Sequence, residues 1–373
     1  MKTMNVRCLL RKWLRRIKGI VQGGKGVIHY EGGVTLPTTN PFNRYTKDDL
    51  IIGRHWVFAR MQGGRMRFVC GEAEECFIRE VYSWGSVVCA TAGFHEVFAV
   101  LPNGAVVGTS DREKELERRV GKHNRLPARF SAFDIQGAFA QGYLAWCRNA
   151  RHWRGVKSIV ACEGRVAGLT QDGRVLSLSN QSGYEKPEDY DGELERRFSG
   201  GGVRRLAVGW LHAAVLDASG RVHVVGSGEY CGAGNVLDWR DVVDIDAFGC
   251  YYSPIQTLGL RSDGRVLHTL ECPEIDSWRN VVSISCLGSG AVAALTADGH
   301  VLLAGHGADC HRAAVEKWPP MAAVRGNFDT LAGISRDGEV WVSDGRRQYC
   351  LRRNADACVV LGEKERGRVP MGF

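Results

Sequence analysis

Two groups of side chains in this 373-residue sequence have types and spacing that could do chemistry. His306, Cys310 and His311 lie close together and carry the donor atoms of a metal site. A structural zinc site needs a second ligand pair at matching spacing, and none follows. A solvated loop is therefore expected there, with no metal and no other cofactor. The second group is cationic: Arg11, Arg15 and Arg16 beside Trp13, near the N-terminus. That combination suits attachment to an anionic surface rather than bond making. A phosphate-binding glycine loop, a helix-borne histidine pair and a nucleophile elbow are all missing from the sequence. No catalytic residue is expected, and the chain reads as a non-enzyme.

The element that must position the cationic group is a helix. On a wheel of 100° per residue, Val6, Leu9, Leu10, Trp13, Leu14, Ile17, Ile20 and Val21 share an arc of about 140°. Arg7, Arg11, Lys12, Arg15, Arg16 and Lys18 fill the opposite side. Three roles are open to this short amphipathic helix: a cap packed on the body, peripheral contact with an anionic membrane, or docking on nucleic acid or an acidic partner. Residues 1–26 hold eight basic side chains and no acidic one, which equals the whole net charge of +8. The remaining 41 basic residues balance 41 acidic ones. The body therefore has no overall pull on anions, and no specific nucleic-acid binding is expected of it.

The 13 cysteines are odd in number and scattered, several within apolar runs (Cys89, Cys162, Cys286). They read as small buried hydrophobes in a reducing compartment, not as a disulfide framework. No apolar run has the length of a membrane span, and no secretory leader is visible. A cytoplasmic location, peripheral to a membrane if the helix binds one, is expected.

Behind the helix the organising signal is internal repetition. Seven turn dipeptides recur: Gly63-Gly64, Asn103-Gly104, Asp172-Gly173, Ser219-Gly220, Asp263-Gly264, Asp298-Gly299 and Asp337-Gly338. Asn-Gly and Asp-Gly between apolar stretches mark two-residue hairpins, because such turns need positive φ. Two residues after each glycine stands Met66, Val106, Val175, Val222, Val266, Val301 or Val340. A small residue and an apolar one precede six of the turns, as in Gly168-Leu169 and Gly259-Leu260. Upstream stand Trp84, Trp153, Trp239, Trp278 and Trp318, each followed by alternating stretches such as Val281-Val282-Ser283-Ile284-Ser285. Period-two alternation reads as a half-buried strand. Each unit is thus a strand led by tryptophan and then a hairpin. A lone sheet of this kind cannot bury both faces, whereas a closed ring of sheets can. The expected fold class is all-β, a seven-bladed β-propeller over residues 27–350, with the helix of residues 1–26 ahead of it. Residues 351–373 form a tail that is a candidate for closing the ring.

The stretch Trp239–Gly307 resembles the regulator of chromosome condensation (RCC1-type) repeat in its bacterial form. A W-x-x-[IV] opening is followed by G-x-x-H-x-x-[AG]-L-x-x-D-G-x-V. The resemblance covers roughly residues 45–345. Gly209-Trp210-Leu211-His212 matches the histidine element in full, while Gly53-Arg54-His55 and Gly93-Phe94-His95 approximate it. The resemblance implies a seven-bladed propeller, and it admits nucleotide-exchange stimulation of a small GTPase or inhibition of a hydrolase as alternatives.

The connection after the second hairpin, about residues 109–150, is longer than its equivalents and opens with a charged run. A smaller charged insertion spans Tyr184–Arg197. Insertions in repeat folds map to one face, often the binding face. Arg112, Glu115, Arg118 and Arg119 are accordingly candidates for partner contact, beside Arg11, Trp13, Arg15 and Arg16. The expected function is a monomeric, non-catalytic scaffold that binds a protein partner.

Overall fold

The seven turn glycines, Gly64, Gly104, Gly173, Gly220, Gly264, Gly299 and Gly338, all take φ between +76° and +97°. A side chain is disfavoured at such angles, which is why the spacing of these glycines reports the hairpins so faithfully. The computed structural model describes residues 45–113, 148–162, 164–179, 190–210, 212–226, 236–250, 253–352 and 359–363.

Seven separate antiparallel sheets result, one per turn. The first holds β1 (Leu50–Ile52), β2 (Trp56–Arg60) and β3 (Met66–Gly71); the second β4 (Cys89–Ala92), β5 (Glu96–Val100) and β6 (Val106–Ser110). The third holds β7 (Val156–Cys162), β8 (Arg165–Thr170) and β9 (Val175–Ser179); the fourth β10 (Val203–Val208), β11 (His212–Asp217) and β12 (Val222–Gly226). The fifth holds β13 (Val242–Cys250), β14 (Ser253–Arg261) and β15 (Val266–His268); the sixth β16 (Val281–Cys286), β17 (Val292–Thr296) and β18 (Val301–Ala304). The seventh runs β19 (Met321–Asn327), β20 (Thr330–Ser335), β21 (Val340–Ser343), β22 (Arg347–Leu351) and β23 (Val359–Glu363), each paired to the next.

The first strand of every sheet touches the first strand of the next, and β19 returns to β1. The sheets therefore form a closed ring, a seven-bladed β-propeller. Closure is apolar: Leu50, Ile52 and Val57 of the first blade share one buried cluster with Ala323, Ile334 and Val340 of the seventh. The tail strand β23 adds to the outer side of the seventh blade, away from that seam.

Neighbouring blades are also stitched through the turns. The carbonyls of Gly64, Gly104, Gly220, Gly264 and Gly299 accept the N–H groups of Val87, Val156, Val242, Val281 and Met321, at 2.8–3.1 Å, where the next inner strand begins. Just ahead of those strands the chain bends through a left-handed residue. Gly155 serves there in the third blade, and Asp241 (φ 59°) and Asn280 (φ 57°) in the fifth and sixth. These are the non-glycine types that best tolerate the conformation. The arginine before each, Arg154, Arg240 or Arg279, donates to two nearby backbone carbonyls and ties the bend down.

Among the described residues six blades have three strands, and three of the connections between blades carry helices. α1 (Glu75–Ser83) packs on β3 and β6, α2 (Tyr190–Arg197) on β9 and β12, and α3 (Asp309–Val315) on β18. The seventh blade carries two further strands on its outer side, β22 and β23.

Candidate functional site

The seven inner strands surround a channel, and its two ends differ in chemistry. At the end where those strands begin, a single 3-10 turn, Lys47–Asp49, enters from the first blade. The three N–H donors of Lys47 Nζ are fully used. They meet Asp244 Oδ2 at 2.7 Å, the Ile245 carbonyl at 3.2 Å and the Ile284 carbonyl at 3.0 Å. Arg205 Nε meets Asp244 Oδ1 at 2.6 Å, and its Nη2 meets both oxygens of Asp48 at 3.0 and 3.1 Å. Arg325 lies 3.8 Å from Asp48. Burial pulls the Asp48 carboxyl up, but Arg205, then Arg325 and Lys47, hold it at about 2. One short turn thus braces blades four to seven from the first blade.

A buried, convergent set of charged groups in the channel is the arrangement expected of a catalytic centre. Here every member of the set is spent on another member or on a backbone carbonyl. The geometry is that of a brace. Beyond it lies a cavity of about 30 Å³, lined among others by Cys162, Asp246, Phe248, Cys286, Arg325 and Asn327. Asp246 accepts the Ser285 hydroxyl at 3.0 Å and the Cys286 N–H at 2.9 Å. Burial pushes the Cys286 thiol well above its ordinary range, so it is no nucleophile at neutral pH.

The other end carries the tips between the first and second strands of each blade. Phe94 and Phe328 meet edge to face at 4.9 Å, and Phe248 meets Phe328 at 5.4 Å, so three tips share an aromatic cluster. The Arg54 guanidinium lies over the Phe94 ring, 4.2 Å from its centroid. The Arg54 N–H donates to the Phe94 carbonyl at 3.0 Å and locks the first two tips together.

Beside this pair stands a polar knot. Trp56 Nε1 donates to Asp111 Oδ2 at 3.0 Å. His95 Nδ1 lies 3.0 Å from Asp111 Oδ1, a close polar contact without hydrogen-bond alignment. The His55 ring stands 6.3 Å from that of His95. Burial, then Arg54 and His95, lower the His55 pKa. Glu96 is fully buried, and its Oε2 accepts the N–H groups of Phe94 and His95 at 3.1 and 3.4 Å. Burial outweighs those donors and raises its carboxyl to about 8. In the fourth blade His212 sits fully buried against Thr257 Oγ1 at 3.0 Å. Burial and then Arg165 lower it to about 4.

The third strand of each blade runs back to this same face, because Ser110 pairs with Glu96, Ser179 with Arg165 and Gly226 with His212. The variable connections therefore start at the tips. Of the insertion candidates, Arg112 is exposed just beyond β6, its N–H bonded to Ser110 Oγ at 3.2 Å. Glu115, Arg118 and Arg119 lie outside the described residues, as do Arg11, Trp13, Arg15 and Arg16. His311 is buried on Ser343 at 2.9 Å while Cys310 Sγ donates to the Gly307 carbonyl at 3.0 Å. The described residues contain no group of three or more potential metal ligands. No helix among them is long and apolar enough to cross a membrane.

The sequence reading passed over Arg54 and Phe94. The signal was the position between the glycine and histidine of the recurring tip element, Gly53-Arg54-His55 and Gly93-Phe94-His95, where the outward side chain is free to vary.

Neither models of protein families nor curated proteins match the chain. Among solved structures it is similar to yeast RCC1 (Prp20) bound to Kap60, at 13% identity over 86% of this chain and 85% of that one, with a TM-score of 0.48. The WD40 ectodomain of the Arabidopsis thaliana receptor kinase ACR4 gives 10% identity over 83% and 97%, at 0.45. Human WBSCR16 gives 14% over 75% and 78%, at 0.42. These likenesses accompany the propeller; the seven sheets and their closure establish it.

Proposed function

We propose that this chain is a non-catalytic protein-interaction platform whose working surface is the hairpin-tip face. The observation that supports this most is positional. The long connection after β6 departs from Asp111, on the face that carries the Arg54–Phe94 pair. The charges at the opposite end are consumed by the brace. Residues 1–26 form a second, basic attachment segment in this reading, reaching a partner or an anionic membrane. The repeats belong, in the same reading, to the bacterial form of the regulator of chromosome condensation type. No described residue favours the GTPase-exchange or hydrolase-inhibitor roles.

The test is capture of partners by the full chain and by a variant with charge-reversed tips, Arg54→Glu with Arg112→Glu. A partner retained in fixed stoichiometry by the first and lost by the second is expected. Retention by both, or no stoichiometric partner for either, sinks the reading.

A further inference from the structure

Arg54 combines two properties seldom found together in an exposed arginine. It is held still, by the Phe94 ring at 4.2 Å and by its own N–H on the Phe94 carbonyl. Its guanidinium also makes no ion pair or side-chain hydrogen bond among the described residues, although it is exposed. A flexible arginine loses side-chain entropy when it binds, whereas one already stacked has lost most of it beforehand.

Two of the carboxylates nearby are otherwise engaged. Asp111 is clamped by Trp56 and His95, and Glu96 is buried under backbone N–H groups. Glu72 is exposed and forms no ion pair with Arg54. Asp329 is exposed on the seventh tip, next in the chain to Phe328. Phe94 cannot swing away, because Phe328 and behind it Phe248 support it.

We infer that Arg54, fixed on Phe94, is the socket for a carboxylate side chain from an acidic segment of a partner protein. The guanidinium fork matches a carboxylate in two parallel hydrogen bonds, and arginines in such central, pre-ordered positions dominate interface energetics. Nucleic acid fits less well, since a single strand takes exposed aromatic platforms for its bases, and Phe248 and Phe328 are buried. This inference rests on the platform reading and adds the chemistry of the partner to it.

The test uses the full chain and a fluorescein-labelled peptide of alternating glutamate and leucine, read by anisotropy. The glutamine counterpart and a single-stranded DNA decamer serve as competitors. Residues 1–26 attract the peptide equally in every variant, so the readout is Arg54→Ala against the charge-matched control Arg174→Ala, on the opposite turns. Arg54→Ala is expected to weaken binding about tenfold relative to Arg174→Ala, the loss of one charge-assisted pair. Arg54→Lys should fall between them, and Phe94→Leu should weaken binding while leaving the charge in place. Equal binding by Arg54→Ala and Arg174→Ala overturns the inference, as does competition by DNA stronger than by unlabelled acidic peptide. A captured partner indifferent to Arg54 but lost on changing other tip residues would sink this inference alone; the absence of any stoichiometric partner would sink the platform reading.

Discussion

The six-membered ring of Trp239 lies directly on Gly259, so close that a Cβ on the glycine would come within 2.8 Å of the ring. The same relationship joins Trp153 to Gly168 at 3.1 Å and Trp318 to Gly333 at 3.0 Å. Each pair links the residue that opens a repeat to the small residue before its hairpin. The two sequence landmarks are one packing contact, seen twice.

Alanine at position 259 should therefore overpack the fifth blade. We expect Gly259→Ala to lower stability by about 1–3 kcal/mol. Urea unfolding measures this, and Gly259→Ala combined with Trp239→Leu should recover part of the loss.

The brace gives a contrast between neighbours. Lys47→Met takes one of two cations from Asp244, which keeps Arg205, and removes donors from two carbonyls inside the channel, with an expected cost on the order of 3 kcal/mol. The Asp48 side chain is 42% exposed, so Asp48→Asn should cost less than about 1 kcal/mol. Similar midpoints for the two variants in denaturant would show that the turn does not brace the ring.

Two buried groups set opposite pH limbs. Glu96 keeps its proton in the fold up to about pH 8, against 4.5 unfolded, so the folded state holds the extra proton and stability falls as pH rises through that window. His212 stays neutral in the fold down to about pH 4, against 6.5 unfolded, so stability falls as pH drops from 6.5 towards 4. Each limb is on the order of 2–5 kcal/mol. Melting temperature followed against pH should lose its fall between pH 6.5 and 8 in Glu96→Gln and, because the two windows overlap, rise with pH between 4.5 and 6.5 where the parent is flat.

A chain beginning at residue 27 keeps the brace at Lys47–Asp49 and every blade strand. It should melt as the full chain does while losing association with a partner or with anionic vesicles. Insolubility of the shortened chain would instead favour a helix that caps the propeller.

What the sequence by itself determined is local. The need for positive φ at Gly104 or Gly264 and the alternation of Val281–Ser285 act within a few residues, so counting turns counted blades. The tip element was legible in the same way, at Gly53-Arg54-His55 and Gly93-Phe94-His95. Spacing also moved the net charge off the ring and onto residues 1–26. The tertiary structure alone decided which residues meet. The pairing of Lys47 with Asp244, of Trp56 with Asp111 and of Arg54 with Phe94 joins different blades, and β1 finds β19 across nearly the whole repeat region. Such contacts leave no periodic trace, because they depend on where closure of the ring brings two side chains. A histidine of the repeat pattern could be read as a motif. Whether an arginine beside it is spent on an acid or left for a partner became visible only once the tips stood side by side.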